Sequence, residues 1–474
     1  MQPTPKLPWF YLALPHIKGV TLAPGEPLSE AEVGSLGYAV INDNLSRSNT
    51  PRDDLLRLWE KLRPETGVLA LGLLMDQGPA PADIVQWLRE QGTVTVCEQG
   101  TFNGCHMLVL RKAPEPEQLP HAAAAQRALV FRPGGYGDGL CAASVFPGLR
   151  KQGYDVTFLT LLQAGEIVRN NPYVYRILSY GINRLPATEL TPMLLVQASQ
   201  YDKFINLNES YEHAVLAVPG RTEFDWPASA RRRRSARMNV EELAALIAEV
   251  PYIPGSMWFY PTDAERQSAA DLKRQILDVA GSGASEILVW ALAGSADHKW
   301  YPHTAVVLAQ VMQAHPDLVV CLAGGPAERD RMAATAVIKQ LVDALGPEHT
   351  ASRLVDLHAT GASIRTVYAL AQDVDVVAGP ETGIHNAVAH THVAQVILLS
   401  HSTVDNLPRD WTNTTAVVPT CDEYPCGRMH IQGMDCPLDP ATGASKCPSS
   451  IPPQSVIAAV LEKLTKTAGA LAAD

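Results

Sequence analysis

Short, wholly apolar runs separated by amphipathic stretches set the pattern of most of the chain. In the C-terminal part, Glu286–Leu292 (EILVWAL) precedes a glycine-containing loop and helical periodicity near His303–His315. Leu318–Leu322 follows, then Gly324-Gly325-Pro326 and a long helical stretch to about Leu345. Leu354–Leu357, a helix over Ile364–Gln372, Val374–Ala378, a helix from Gly383 and Val393–Leu399 continue the series, and a last helix spans about Pro453–Lys466. Strand-length runs without polar alternation are buried on both faces. The succession therefore predicts a parallel sheet covered by helices on either side, a doubly wound domain.

A second stretch starts the same way. Ala128–Phe131 reads as a strand, Arg132-Pro133-Gly134-Gly135-Tyr136-Gly137-Asp138-Gly139 as a glycine-rich turn, and a helix follows to about Gln152; strands are expected at Val156–Thr160 and Asp202–Asn206. Two consecutive halves of this type place a cleft between the carboxyl ends of two sheets. The first part of the chain orders its elements as β, α, β, α, β, β: Tyr38–Ile41, Asp53–Leu62, Val68–Leu74, Ala82–Gln91, and strands near Thr93–Val96 and His106–Leu110. Ala113–Ala125 (APEPEQLPHAAAA) reads as a linker. The expected domains are residues 1–112, a linker 113–126, an acceptor-side domain 127–254, and a donor-side domain 255–474 carrying a cysteine-rich loop at 420–448.

The 474 residues suit two or three domains. With 46% hydrophobic and 18% charged residues the chain can build large cores. No apolar run approaches the roughly 20 residues of a membrane span, and Met1–Trp9 lacks the basic and apolar parts of a signal peptide. An integral membrane protein is excluded on this reading, and a cytoplasmic location in a bacterial or phage-infected cell is expected; peripheral membrane contact and oligomeric state stay open. Thirty-eight basic against 49 acidic residues give a net charge of −11, which argues against nonspecific nucleic-acid binding by the whole surface.

Candidate chemistry sits in the strand-end loops. Bare amides at a helix start attract anions, and glycines such as Gly135 and Gly137 let a bulky ligand approach the main chain. Asp138 is the titratable residue of that loop; Asp also favours helix N-caps. The pattern is not G-x-G-x-x-G, and no acidic ribose partner follows as a nicotinamide cofactor would require. In the donor-side part, Ser295 and Lys299 suit phosphate oxygens by hydroxyl and ammonium, against an ordinary solvated loop ahead of Pro302. Thr382 with the amides of Gly383 and Ile384 would cradle a diphosphate. His385 reads either as a phosphate contact or as a buried helix histidine, and Glu328 either as a ribose ligand or as surface. Three loops converging on one crevice read as a nucleoside-diphosphate donor site, with an acidic base supplied by the other domain.

ALVFRPGGYGDGLCAASVFPGLRKQGYDVTFLT resembles the opening of glycosyltransferase family 9, the heptosyltransferase-like proteins. AGSADHKWYP, CLAGGPAERDR and VDVVAGPETGIHNAVA resemble its three donor-side motifs in order, over Arg127 to Leu464. The resemblance implies a GT-B fold and inverting, metal-independent transfer from a nucleotide sugar of ADP-heptose type. It places the catalytic base on Asp138, the phosphate-binding lysine on Lys299, the ribose-binding glutamate on Glu328, and the acidic-Thr-Gly loop on Glu381, Thr382 and Gly383. The family has histidine five residues after the acidic one; here that position is Asn386, and His385 precedes it. LLRLWEKLRPETGVLAL resembles the second half of a class I methyltransferase, without the glycine-rich turn that binds the methyl donor, which implies a degenerate module over 1–112.

Asn208 and Glu209, after the Asp202–Asn206 strand, fall on the acceptor side. Arg231–Arg234 reads as a solvated linker or, with Arg232, as an anchor for a phosphate-bearing acceptor. The acceptor expected is a lipopolysaccharide-type saccharide or a hydroxylated DNA base of phage type; the alternative is a nucleotide-sugar-binding protein without turnover. Cys421, Cys426, Cys436 and Cys447, with His430 among them, follow C-x4-C-x9-C-x10-C, open to a structural zinc site, one or two disulfides, or packed thiols. No cofactor is required for catalysis on this reading.

Overall fold

The computed structural model describes residues 126–179, 201–207, 237–280, 284–292, 297–325, 328–400, 402–425 and 436–471, and the N-terminal elements named below; a few helical positions near 52–59 and 194–200 are also placed. The N-terminal region forms a five-stranded sheet in the order β1-β2-β3-β5-β4. Its strands are β1 (Gly19–Leu22), β2 (Tyr38–Asn42), β3 (Val68–Leu74), β4 (Thr95–Phe102) and β5 (Cys105–Arg111). The first three run parallel, and β5 enters antiparallel between β3 and β4. Helix α1 (Pro81–Arg89) buries Ile84 and Leu88, four residues apart on one face. Leu55 and Trp59, within the expected Asp53–Leu62 helix, are buried with the same spacing. β1 was not anticipated, and β4 runs well beyond the expected Thr93–Val96.

The next sheet has the order β8-β7-β6-β9, all parallel, from β6 (Gln126–Arg132), β7 (Tyr154–Thr160), β8 (Arg176–Ser179) and β9 (Lys203–Asn206). Side chains along β6 alternate: Leu129 and Phe131 pack on one face, Ala128 and Val130 on the other. The single helix expected after the glycine-rich turn is two, α2 (Tyr136–Ala143) and α3 (Phe146–Lys151). Pro147 lies in the first turn of α3, where its missing N–H costs nothing but cannot continue a helix from α2. Helix α4 (Leu162–Ile167) follows β7. Helix α5 (Val240–Ala248) starts at Asn239, whose side chain accepts from the Glu241 amide at 2.9 Å.

Helix α6 (Asp263–Ala280) leads into a six-stranded parallel sheet, order β12-β11-β10-β13-β14-β15. Its strands are β10 (Glu286–Ala291), β11 (Leu318–Ala323), β12 (Leu354–Asp356), β13 (Val376–Pro380), β14 (Ala394–Leu398) and β15 (Thr414–Val417). Its connecting helices are α7 (Thr304–Ala314), α8 (Glu328–Leu345), α9 (Pro347–Arg353), α10 (Ile364–Ala371) and α11 (Gly383–Val388); α12 (Lys446–Ser449) and α13 (Pro453–Leu471) close the chain. The winding runs outward through β11 and β12 on one side and through β14 and β15 on the other, so the direction reverses between β10 and β13. In an open parallel sheet the ligand crevice lies at the carboxyl ends of such a pair. Ile287 and Val289 of β10 pack into the core that is continuous with the preceding domain; Leu288 and Trp290 point into the opposite core with α7 and α13.

Candidate active site

In the first Rossmann-like domain, β6 ends at Arg132 and the chain turns through Pro133–Gly135 into α2. Asp138, in the first turn, is held at both oxygens. Its Oδ2 accepts from the Gly135 amide at 2.7 Å and its Oδ1 from Arg132 Nη2 at 2.5 Å. The carboxylate lies so close over the turn that a Cβ on Gly134 would stand 2.4 Å from Asp138 Cβ, which accounts for that glycine. The side chain of Asp138 keeps 16% exposure while that of Arg132 keeps 2%.

In the second Rossmann-like domain, the last residue but one of β13 is Gly379, whose φ of +124° and close approach to the Ala291 carbonyl exclude a side chain. Glu381 is buried, and its Oε1 accepts from the Ser400 hydroxyl at 2.6 Å and from the Ser400 amide at 3.3 Å. It ties the loop to the end of β14. Thr382 caps α11 in extended conformation with no side-chain capping bond, so its hydroxyl is left for other partners. Lys299 closes a short 3-10 turn, Asp297–Lys299, after β10, half-buried and in no ion pair among the described residues. Glu328 opens α8; its side chain, and Ser295, lie outside the described residues. The loop between β11 and α8 is braced by His358, whose ring meets Asp356 Oδ1 at 2.8 Å and the Gly325 carbonyl oxygen at 3.0 Å.

The two sides meet. A Cβ on Gly137 would stand 3.3 Å from Gly383 Cα and 3.2 Å from Asn386 Oδ1; one on Gly383 would stand 2.9 Å from the Gly137 amide nitrogen and 2.6 Å from the Tyr368 hydroxyl. Tyr136 packs edge-on to Tyr368 at 6.1 Å. Asn386 reaches across to donate from Nδ2 to Cys141 Sγ at 3.1 Å. Burial pushes the Cys141 thiol well up, helped by the charges of Glu241 and Asp138, so it stays protonated and inert as a nucleophile. Burial likewise pushes the Tyr136 hydroxyl to about 12.

Of the two readings of His385, the buried helix histidine is the one observed. It is fully enclosed, with Nδ1 on Gln395 Oε1 at 3.1 Å, and burial lowers its pKa to about 4. A neutral, enclosed ring supplies no charge to a phosphate. Thus Asp138, Gly135, Gly137, Thr382, Gly383 and Asn386 come together, Lys299 ends the neighbouring loop, and Glu381 and His385 support from behind. Arg132, Cys141, Ser400, His358 and Tyr368 were not anticipated. Only Arg132 carried a sequence signal, a charged residue closing an apolar strand.

The sequence matches no protein-family model and no curated protein. Among solved structures, a glycosyl transferase family 9 protein from Veillonella parvula DSM 2008 superposes with a TM-score of 0.50 at 12% identity, over 73% of this chain and 100% of that one. The ADP-heptose lps heptosyltransferase II of E. coli is similar over 72% of this chain and 99% of its own, at 15% identity and a TM-score of 0.49. The fold is GT-B. Two doubly wound Rossmann-like domains face one another, preceded by a small N-terminal α/β domain; at these identities the likeness speaks for architecture. It lends nothing to a methyltransferase-like reading of residues 1–112.

Among the described residues the cysteine loop shows no metal centre. Cys447 is buried and its thiol donates to the Ser400 carbonyl at 2.6 Å, and Cys421 and Cys436 stand half-buried without a disulfide. Among the described residues no three His, Cys, Asp or Glu gather to hold a metal. Cys426 and His430, and the acceptor-side residues Asn208, Glu209 and Arg232, lie outside the described residues. No helix among the described residues is long and apolar enough to cross a membrane.

Proposed function

We propose that the protein is an inverting glycosyltransferase of family 9 type, which moves a sugar from a nucleoside-diphosphate donor to a hydroxyl acceptor. The observation that carries this reading is the apposition of Gly137 with Gly383, which brings the Asp138 turn of one domain against the Thr382–Gly383 loop of the other. Asp138 takes the proton of the acceptor hydroxyl as that oxygen attacks the anomeric carbon. The bond from the anomeric carbon to the diphosphate oxygen breaks, and the nucleoside diphosphate leaves. Lys299, the Thr382 hydroxyl and the Gly383 amide take up the charge that develops on it, and Glu328 is assigned to the ribose. Both E. coli and V. parvula relatives in fold are named for glycosyl transfer, the former with ADP-heptose, and an ADP-heptose-like donor is the first to try. The acceptor is a lipopolysaccharide-type saccharide or a hydroxylated DNA base, with Asn208, Glu209 and Arg232 on its side.

A panel of nucleotide sugars, with and without saccharide and hydroxymethylated-DNA acceptors, tests this by release of nucleoside diphosphate. Release should fall by about 10²-fold or more in Asp138→Asn, the usual worth of a positioned base. One observation favours a second reading, binding without turnover: both Asp138 oxygens already hold the fold's own donors. That reading expects thermal stabilisation by a nucleotide sugar, no release, and an Asp138→Asn protein that binds equally well.

A further inference from the structure

We infer that Arg132 is a positioning residue for the transfer: its buried guanidinium fixes the carboxylate of Asp138 in the plane from which it receives the acceptor proton. The inference rests on Asp138 being the base. Arg132 is the last residue of β6, the strand paired on both sides by β7 and β9, so its backbone has little freedom. The Thr160 hydroxyl donates to its carbonyl from β7. The guanidinium, in a residue only 1% exposed, spans the turn, with Nη1 on the Pro133 carbonyl at 3.2 Å and Nη2 on Asp138 Oδ1 at 2.5 Å.

A permanent cation is costly to bury and is retained only where an anion answers it. Here an answering anion is the Asp138 carboxylate, on the turn that meets the Thr382–Gly383 loop of the other domain. With the Gly135 amide on the second oxygen, both ends of the carboxylate are pinned, so its plane is set by β6 and by the start of α2. An ionised carboxylate offers about four lone-pair sites, and two remain for a substrate hydroxyl. Arg132 bonds the carboxylate and the turn that carries it, so its removal should slow the chemical step more than it weakens donor binding. A displacement near 1 Å at the reacting group costs up to about 10²-fold.

The test compares wild type, Arg132→Met, Asp138→Asn and the double variant in steady-state release of nucleoside diphosphate, with donor binding measured by calorimetry. Arg132→Met should lower kcat between about 10-fold and 100-fold, leave donor Kd and KM within about twofold, and recover part of kcat on addition of guanidinium. Added to Asp138→Asn it should cost nothing further, because two residues acting through one atom are not additive. An unchanged kcat, a loss confined to KM, or full additivity in the double variant would overturn the inference. Should Arg132→Met not fold, Arg132→Gln, which keeps a donor for the Pro133 carbonyl, is judged by the same criteria. Failure of the functional reading looks different: wild type itself then releases nothing with any donor and acceptor, and the inference falls with it.

Discussion

His385 shows what a single side chain can contribute away from the reaction. It is enclosed against Gln395, and burial lowers its pKa from 6.5 to about 4. The unfolded chain binds a proton near pH 6.5 that the folded one refuses until about pH 4, so stability is full above pH 6.5 and drains as pH falls through that window. Two and a half pKa units amount to about 3 kcal/mol. Urea titrations at pH 7 and pH 4.5 should show that loss in wild type and a smaller one in His385→Leu, with other titrating groups common to both. Asp138 and Thr382 stood out in the sequence at strand-end glycine loops matching the family motifs, although an acid there is also an ordinary helix cap, and Asp138 does bond the Gly135 amide. His385 could not be assigned, because a histidine in a helix's first turn reads the same whether it faces a ligand or the core. Burial decides, and burial belongs to the tertiary structure.

At the scale of elements, the starts of α2 and α11 are in contact through two glycines, and the contact is not symmetric. A methyl on Gly383 would meet the Gly137 amide nitrogen at 2.9 Å, backbone that cannot swing aside, whereas one on Gly137 meets nothing nearer than 3.2 Å. Gly383→Ala should therefore cost about 1–3 kcal/mol, the range for overpacking, and part the two helix ends; Gly137→Ala should be milder on both counts. Denaturant midpoints and turnover of the two variants check the order. The elements themselves were largely legible where strands are central. Each of β10, β11, β13 and β14 is buried at every position and reads as an apolar run broken only by Glu286 at the start of β10 and Gln395 in β14. The edge strands β8 and β15 are only part-buried, carry Arg176, Ser179, Thr414 and Thr415, and left no such run. The amphipathic α6, rich in charge on its outer face, went unread although Thr262 and Glu265 form a capping box at its start.

Across the whole molecule, beside the contact of α2 with α11, two further clasps join the Rossmann domains among the described residues. Arg365, on α10 and 1% exposed, donates to the Glu166 and Ile167 carbonyls of α4 at 3.0 and 2.8 Å, to the Tyr260 carbonyl at 2.8 Å and to both oxygens of Glu265. At the second, Asn239 donates to the Leu407 carbonyl at 3.0 Å and Asn406 to the Met238 carbonyl at 3.1 Å, with His390 on Glu241 at 3.2 Å and Arg409 on Glu242 at 2.9 Å. Arg365→Met strands Glu265 and should cost about 3 kcal/mol or more, read as a lowered denaturation midpoint. Burial pushes the Glu265 carboxyl up, but the bonds and charge of Arg365, with the Thr262 amide and Arg169, outweigh it, and the net lies below the ordinary value. Its stabilising contribution is thus complete above the usual carboxylate range and lost only in stronger acid, and Arg365→Met, which lacks it throughout, should lose less stability than wild type on acidification, so that the two denaturation midpoints draw together in strong acid. Partners nearly two hundred residues apart leave no local trace in a sequence, so neither clasp could be read there. Anyone recombining this protein with another of its architecture would find the border expected at residue 254 a convenient place to cut and a poor place to join. A transplanted C-terminal half would arrive without the α4 carbonyls that saturate Arg365 and without the helix start that receives Asn406, so a well-folded hybrid has to carry these docking segments across with it.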